Sequence, residues 1–368
     1  MEDIGRSKRA NRAYTLDDVA IVPSRRTRGA EQVNLAWRID AMSFDFPLIA
    51  APMDSVMSPT TAIEFGRLGG LGVLNLEGLW TRYADPLPLL EELAEIPDQA
   101  GATARMQELY AAPIQPELIG ERLAQIRDAG VPVAGSLSPQ NAQAFGAVVV
   151  EANPDFFVIR GTAVSAEHVS DVAEPLNLKK FIYELDVPVI VGGCATYQTA
   201  LHLMRTGAAG VLVGYGGAAT STTRQVLGIE VPMATAIADV AEARRDYLDE
   251  SGGRYVHVIA DGAIGRSGDL VKALACGADA AMIGVPLARA SDVPGHGYHW
   301  GAEAWHSPLP RGRRVHFEPV GTMEEILLGP SRLPDGTMNL VGALRRALAS
   351  CGYTEVKEFQ RIELVIRH

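Results

Sequence analysis

One segment near residue 261 constrains the fold of this chain more than any other. Two apolar runs rich in β-branched residues, at 255–261 and 280–284, each end next to glycine, the first as Asp261-Gly262. Unbroken apolar runs of this length are typical of strands that are buried on both faces. Between them, residues 267–277 begin with polar side chains and stop at a glycine, as a helix does. This order of elements is the one from which a (β/α)8 barrel builds a phosphate site with its last two loops.

Six more apolar runs complete a set of eight predicted strands. They lie at residues 47–53, 71–75, 131–135, 156–160, 187–193 and 210–214. Helical segments separate them, and the clearer ones lie at 60–68, 116–129, 195–206 and 234–249. Because buried strands alternate with helices, the sequence predicts a parallel sheet closed into a (β/α)8 TIM barrel. The 368 residues fit one barrel domain, 1–368, with insertions.

Two stretches depart from this alternation. Residues 80–115, between the second and third predicted strands, contain several prolines and acidic, helix-like pieces. We interpret them as a surface excursion, too short for a sizeable domain of its own. Residues 291–318 follow the eighth predicted strand and are rich in Gly, Pro, His and Trp. A long loop at that place predicts a lid over the site.

Composition excludes several classes of function. The formal net charge of −11 argues against binding to nucleic acid or to an acidic membrane, because no net basic field is present. No apolar run reaches the roughly 18 residues of a transmembrane helix, and the first residues resemble no signal peptide. Cys194, Cys276 and Cys351 have neither metal-binding nor disulfide spacing. We therefore expect a cytoplasmic protein.

In a barrel of this type, chemistry lies in the loops at the carboxyl ends of the strands. The richest of these loops, residues 213–224, has three glycines among its first five residues and later four consecutive hydroxyl side chains. Such a loop can offer N–H groups to phosphate, carbonyls to a monovalent cation or a hydroxyl to a substrate. The alternative is a turn that caps the next helix.

Other side chains also admit two interpretations. Asp54 is either a helix cap or a site residue, and Met53 either packs in the core or contacts a ligand. Cys194 is either a nucleophile or, as we favour, a buried thiol with no histidine near it in sequence. His296 and His299 on the predicted lid are the better candidates for proton transfer, although histidines are common on surface loops.

Several motifs in the same order resemble the IMP dehydrogenase / GMP reductase family. They lie at residues 14–23 (YTLDDVAIVP), 51–56 (APMDSV), 68–73 (LGGLGV), 213–224, 260–262 (ADG), 282–284 (MIG) and 340–353. Residues 24–28, 176–181 and 231–239 further resemble the actinobacterial branch of paralogues called IMP dehydrogenase-related. The similarity runs through nearly the whole chain.

The resemblance implies a purine nucleoside monophosphate (IMP, XMP or GMP) in the barrel and a homotetramer of such barrels. The implied substrate contacts are Asp261 on the ribose, Gly262 and Gly284 on the phosphate, Gly216, Gly217 and Ala219 nearby, and Met53 on the base. An NAD(P) cofactor would lie across the base, near Arg160, Gly161 and Thr162. A monovalent cation such as K⁺ would bind the carbonyls of Gly214, Gly216 and Ser221.

The chain departs from the family pattern at several positions. Residues 80–115 cannot hold the pair of CBS domains that family dehydrogenases carry there, so we expect none. Ser221 replaces the family's nucleophilic cysteine, and Arg160 replaces an aspartate that faces the nicotinamide ribose. The Arg-Tyr pair of the dehydrogenase flap has no clear match. The catalytic glutamate of the reductases would fall near His296, whereas the catalytic threonine is retained as Thr223.

Three hypotheses follow. The first is a purine-nucleotide oxidoreductase in which Ser221, Thr223 and His296 are the catalytic residues. The second is a catalytically silent paralogue that binds the same nucleotides as a sensor or regulatory partner, because a serine hydroxyl without a base is a poor nucleophile. The third and weakest is a different TIM-barrel enzyme with a phosphate-bearing ligand.

Overall fold

The computed structural model describes residues 2–168, 175–306 and 312–367. Within them, eight parallel strands form a closed barrel in which each strand pairs with its neighbours in chain order. The strands are β1 (Leu48–Ala50), β2 (Leu71–Asn75), β3 (Ala134–Leu137), β4 (Phe156–Arg160), β5 (Val189–Cys194), β6 (Gly210–Val213), β7 (His257–Asp261) and β8 (Ala280–Ile283). Pairing of Ala281 with Leu48 closes the ring between β8 and β1. The predicted (β/α)8 fold is therefore confirmed.

Helices follow the strands around the outside of the barrel. Those in the described ranges are α1 (Pro59–Arg67), α2 (Leu87–Glu95), α3 (Gln99–Leu109), α4 (Pro116–Asp128), α5 (Pro139–Glu151), α6 (Leu178–Tyr183), α7 (Tyr197–Met204), α8 (Thr223–Leu227), α9 (Met233–Glu250), α10 (Ser267–Ala275), α11 (Val285–Ala288), α12 (Met323–Leu328), α13 (Leu340–Ser350) and α14 (Val356–Phe359). No helix in the described chain is both long and apolar enough to cross a membrane.

Short strand pairs and 3-10 turns complete the described structure. The antiparallel pairs are Glu2–Gly5 with Lys8–Ala10, Val19–Ile21 with Leu364–Ile366, Trp37–Ile39 with Met42–Phe44, and Tyr298–His299 with Val315–His316. The 3-10 turns are Leu16–Asp18, Ala30–Gln32, Leu79–Thr81 and Ala302–Ala304.

Prolines explain where the observed strands differ from the predicted ones. The first strand was predicted over 47–53 but pairs only over Leu48–Ala50, between Pro47 and Pro52. The third was predicted over 131–135 but begins at Ala134, after Pro132. Proline has no N–H group and cannot donate to a sheet, so the ladder starts or stops beside it.

The helix that follows β1 shows how the sequence sets a helix boundary. Ser58 caps α1 by accepting from the N–H group of Thr61 at 3.0 Å, and Pro59 occupies the first helical position. Both residues are typical of a helix start. The helix then buries Ala62 and Phe65 against the barrel. Burial of a side chain as large as that of phenylalanine stabilises the fold by about 1.5–3 kcal/mol.

Residues 80–115 form more than the expected surface excursion. They contain α2 and α3, and they pack against the loop that follows β8. Arg314 of that loop donates to the carbonyl oxygens of Leu93 and, at 2.5 Å, Ile96, and its guanidinium lies 4.0 Å from the ring centre of Tyr298. The described part of the loop after β8 and the excursion therefore pack together at one end of the barrel.

At the opposite, amino-terminal end of the strands, a buried carboxylate connects β7, β8 and the C-terminal part of the chain. Asp279 pairs with Arg244 of α9 at 2.7 Å. It also accepts from Tyr255 at 2.6 Å, from Gln360 at 3.0 Å and from the N–H group of Val258 at 2.9 Å. Burial alone would raise the pKa of Asp279, but these cationic and hydrogen-bonding partners hold it below its ordinary value.

We expect Asp279→Ala to lower the free energy of unfolding by about 3–5 kcal/mol, because it leaves the charge of Arg244 buried without its partner. Glu250→Ala is the matched control, since it breaks an exposed pair with Arg205 that water screens, and should change the free energy of unfolding far less. Urea denaturation of both variants measures the difference. Equal losses in the two variants would contradict a structural role for the buried pair.

Candidate functional site

The candidate site lies at the mouth of the barrel, which we define as its end at the carboxyl termini of the strands. Three adjoining cavities open there. We call them the glycine cradle (Met53, Gly217, Ala219, Asp261, Gly262, Gly284 and His299), the loop chamber (Arg160, Gly161, Thr162, Gly214, Gly216, Ser221, Asp261 and Glu303) and the aromatic chamber (Met53, Asp54, Asn75, Tyr110, Arg160, Trp300 and Trp305). Met53 lines all three, and Asp261 lines the first two.

The glycine cradle brings together six of the seven predicted substrate-binding residues. Gly216 is the exception and lines the loop chamber instead. Gly262 has a φ of 107°, a conformation that side-chain-bearing residues rarely adopt. A Cβ atom on Gly284 would lie 2.8 Å from Nε2 of His299, so a larger residue there would collide with the imidazole. Glycine at these two positions leaves room for a ligand to approach the backbone closely.

His299 is the histidine of the site. Its side chain is buried, and its Nδ1 atom lies 3.2 Å from the hydroxyl oxygen of Ser55. Burial, together with the charge of Arg160, lowers the pKa of His299 to about 4, so the imidazole is neutral near pH 7. A neutral imidazole carries one N–H donor and one acceptor nitrogen.

His296, which the sequence analysis assigned a catalytic role, lies elsewhere. It sits in a tight turn with a φ of 48°, its side chain is exposed, and it lines none of the three cavities. From the sequence, both loop histidines are candidates for proton transfer, and His296 is predicted as the catalytic one. In the structure, the side chain of His299 points into the site and that of His296 points to solvent. The turn between the two residues sets these directions.

Ser221 and Thr223 lie together in the loop that follows β6. The hydroxyl of Ser221 donates to Oγ1 of Thr223 at 2.9 Å, and the N–H group of Thr223 donates back to Ser221 at 3.3 Å. Thr223 is fully buried at the start of α8, whereas Ser221 faces the loop chamber. In the described chain, Ser221 also forms an antiparallel bridge with Gly312, which joins the two loops.

The backbone of the same loop provides the carbonyls predicted to bind K⁺. Gly214, Gly216 and Ser221 all line the loop chamber, and backbone oxygens are donors that suit a hard cation. Arg313 already donates from Nε to the carbonyl of Ala219 at 3.2 Å, so a guanidinium lies against this loop. Across the described ranges, no group of three or more His, Cys, Asp or Glu side chains could hold a metal ion. The K⁺ site stays a prediction.

Arg160, Gly161 and Thr162, predicted to bind the cofactor, line the loop chamber. Two of them already have partners in the protein. The hydroxyl of Thr162 donates to the carboxylate of Glu303, and Arg160 forms an ion pair with Asp261. Arg160 thus faces the residue predicted to hold the substrate ribose.

The pair between Arg160 and Asp261 is bidentate, with Nε to Oδ2 at 2.8 Å and Nη2 to Oδ1 at 3.2 Å. Burial alone would lower the pKa of Arg160, but the carboxylate of Asp261 raises it, with a smaller contribution from Glu303. The guanidinium is charged at any physiological pH.

The aromatic chamber contains residues that the sequence analysis missed. The buried carboxylate of Asp54 accepts from the hydroxyl of Tyr110 at 2.5 Å and from the side chain of Asn75 at 3.1 Å. Trp300 donates to Tyr110 at 3.0 Å, and the ring of Tyr110 stacks on Trp305 at 4.5 Å. Burial raises the pKa of Asp54 more than its hydrogen bonds lower it. No periodicity marks Tyr110, because its role arises from the packing of residues 80–115 over the mouth.

The fold and these cavities define a (β/α)8 barrel whose site is built from glycine-rich loops at the carboxyl ends of its strands. The sequence model of the IMP dehydrogenase / GMP reductase domain matches residues 13–306. The chain therefore belongs to the IMP dehydrogenase / GMP reductase family.

Relatives of known sequence and structure agree with this assignment. An "uncharacterized oxidoreductase" of Mycolicibacterium smegmatis is 54% identical over 373 residues, which cover 100% of both chains. The inosine-5'-monophosphate dehydrogenase of Methanocaldococcus jannaschii is 24% identical and covers 95% of this chain and 92% of its own. The crystal structure of an IMP dehydrogenase/GMP reductase-like protein from Corynebacterium glutamicum shares 52% identity, with a TM-score of 0.94, and covers 100% of this chain and 97% of its own.

The buried histidine makes a testable contribution to stability. Because the folded protein holds the pKa of His299 near 4 and the unfolded chain does not, the unfolded state takes up a proton first as the pH falls from 7. This should remove about 3 kcal/mol of stability by pH 4. His299→Gln should lack this pH-dependent loss of stability, whereas the exposed control His296→Gln should keep it. Parallel curves of unfolding free energy against pH for wild type and His299→Gln would contradict the assignment.

Proposed function

We propose that the protein binds a purine nucleoside 5'-monophosphate (IMP, XMP or GMP) in the barrel mouth and is an NAD(P)-dependent oxidoreductase acting on it. The observation that carries the proposal is the glycine cradle, where Gly217, Gly262, Gly284 and Asp261 line one cavity. Such a cavity suits a phosphate joined to a ribose. Family membership and the oxidoreductase names of the relatives support the same class of reaction.

Different residues of the site would bind the phosphate, the ribose and the base. The N–H groups beside Gly262 and Gly284 would bind the phosphate, with a neutral His299 as a further donor or acceptor at the cradle. Asp261 would accept from the ribose hydroxyls. Met53, which lines all three cavities, would pack on the base.

A nicotinamide ring bound beside the base would accept or donate the hydride. Gly161 and Thr162 are the residues that would hold it, since both face the loop chamber. The aromatic chamber, which also reaches Arg160, is lined by Tyr110, Trp300 and Trp305, and these side chains would shield the base from water.

The reaction cannot use a cysteine adduct of the family type. The chain has three cysteines, and Cys194 is buried on β5, where burial raises the pKa of its thiol to about 12. The position of the family nucleophile is Ser221, whose hydroxyl donates to Thr223. Hydride transfer would therefore depend on Ser221 and Thr223 in place of a thiolate.

A second candidate is a catalytically silent purine-nucleotide binder, a sensor or regulatory partner. The observation that favours it is the contact of Ser221. Its hydroxyl is hydrogen-bonded to another hydroxyl, which is no stronger a base, so nothing in that contact activates it. The glycine cradle, by contrast, needs no nucleophile to bind its ligand.

Titration calorimetry with IMP, XMP and GMP, followed by NAD⁺ or NADPH in the same cell, tests both candidates. We expect at least one nucleotide to bind and a cofactor-dependent absorbance change at 340 nm to follow. Nucleotide binding without any turnover, in the presence of K⁺ or Na⁺, would reject the oxidoreductase and support the catalytically silent binder. Failure of a well-folded protein to bind any of the three would reject both.

Ser221→Cys tests the missing nucleophile directly. If the serine limits an existing reaction, the variant should turn over at least about tenfold faster, because a thiol is more acidic and more nucleophilic than a hydroxyl. Ser221→Ala is the matched control and should fall below wild type. If Ser221→Cys is no faster than wild type, another departure, such as Arg160, limits the reaction.

A further inference from the structure

The ion pair between Arg160 and Asp261 crosses the barrel mouth. Arg160 ends β4 and Asp261 ends β7, and these strands are not neighbours in the barrel. The pair is bidentate, at 2.8 and 3.2 Å, and both side chains are largely shielded, with 24% and 13% of their surfaces exposed. A paired guanidinium of this geometry fixes the orientation of a carboxylate more firmly than one ammonium group does.

The pair leaves Asp261 able to accept further hydrogen bonds. A carboxylate has about four acceptor positions, two on each oxygen, and Arg160 uses one on each. The remaining two can receive the two hydroxyls of a ribose. Asp261 lines both the glycine cradle and the loop chamber, so its carboxylate lies where the two cavities meet.

A second carboxylate lies near Arg160. The carboxylate of Glu303, in the loop after β8, lines the same chamber and adds negative charge near the guanidinium. Glu303 accepts in turn from Thr162, two residues beyond Arg160. The guanidinium of Arg160 therefore lies between two carboxylates, a bonded one at Asp261 and a nearby one at Glu303.

We infer that Arg160 is a positioning residue for sugar recognition. By holding Asp261, it makes the site select a ribose, with both hydroxyls, over a 2'-deoxyribose. Arg160 acts through Asp261 and does not bind the sugar itself. This inference rests on the proposed binding of a purine nucleoside monophosphate.

The test compares GMP with 2'-deoxy-GMP by titration calorimetry and uses the ratio of their dissociation constants. Wild type should prefer GMP by about 10- to 100-fold, because the lost hydroxyl was bonded to a charged group. Arg160→Gln should reduce this ratio to less than about threefold. A general loss of positive charge weakens the binding of GMP and of 2'-deoxy-GMP equally. The ratio of their dissociation constants therefore reports the sugar contact alone.

Two further variants control for folding and for charge. Arg160→Lys keeps the charge without the forked geometry and should give an intermediate ratio. Arg205→Gln removes an arginine of the same bidentate type, paired with Glu250 at 2.8 and 2.6 Å on the outer surface, and should keep the wild-type ratio. A wild-type ratio in Arg160→Gln, or a ratio near one in wild type, would overturn the inference while nucleotide binding stands.

Asp261→Asn shows whether Arg160 acts through the carboxylate. This variant should have a ratio below about threefold, and adding Arg160→Gln to it should change the ratio by less than about twofold. A further fall in the double variant would mean that Arg160 contacts the sugar directly, which overturns the positioning role. If wild type binds none of IMP, XMP and GMP, the proposed function fails and the inference fails with it; if it binds only IMP or XMP, the same ratio is measured with that nucleotide and its 2'-deoxy form.

Discussion

Hydrogen bonding between β8 and β1 determines where chemistry can lie in this chain. Once Ala281 pairs with Leu48, the sheet has no edge, and the carboxyl ends of all eight described barrel strands meet at one mouth. Residues as far apart in sequence as Met53 and Gly284 then line a single cavity. The contacts of the candidate site depend on this closure, because they join loops that follow different strands.

The mouth combines the barrel architecture of the family with a set of side chains that departs from the family pattern. The binding proposed for the glycine cradle would need only backbone N–H groups and one carboxylate. The groups that would carry the reaction differ from the family pattern, since Ser221 replaces a thiol and Arg160 replaces a carboxylate. Binding and turnover can therefore be lost or kept separately in this protein.

The sequence predicted the parts of the fold that depend on local patterns. Buried apolar runs located the eight strands, and glycines after them located the loops of the cradle. It could not predict the partner of Arg160, which lies 101 residues away, or the contact of Tyr110 with Asp54, 56 residues away. Such contacts follow from how loops pack over the mouth, and no periodicity records them. The direction of His299 into the cradle, and of His296 out of it, is of the same kind.

The contacts of Arg314 and Tyr110 have a kinetic consequence. Arg314 binds the loop after β8 to the carbonyls at the end of α2, and Tyr110 at the end of α3 contacts Trp300 and Trp305 of that loop. The two coverings of the mouth therefore share one interface and cannot separate from the barrel independently. Motion of one covering would therefore move the other, and the entry and exit of a ligand would be linked to their joint movement.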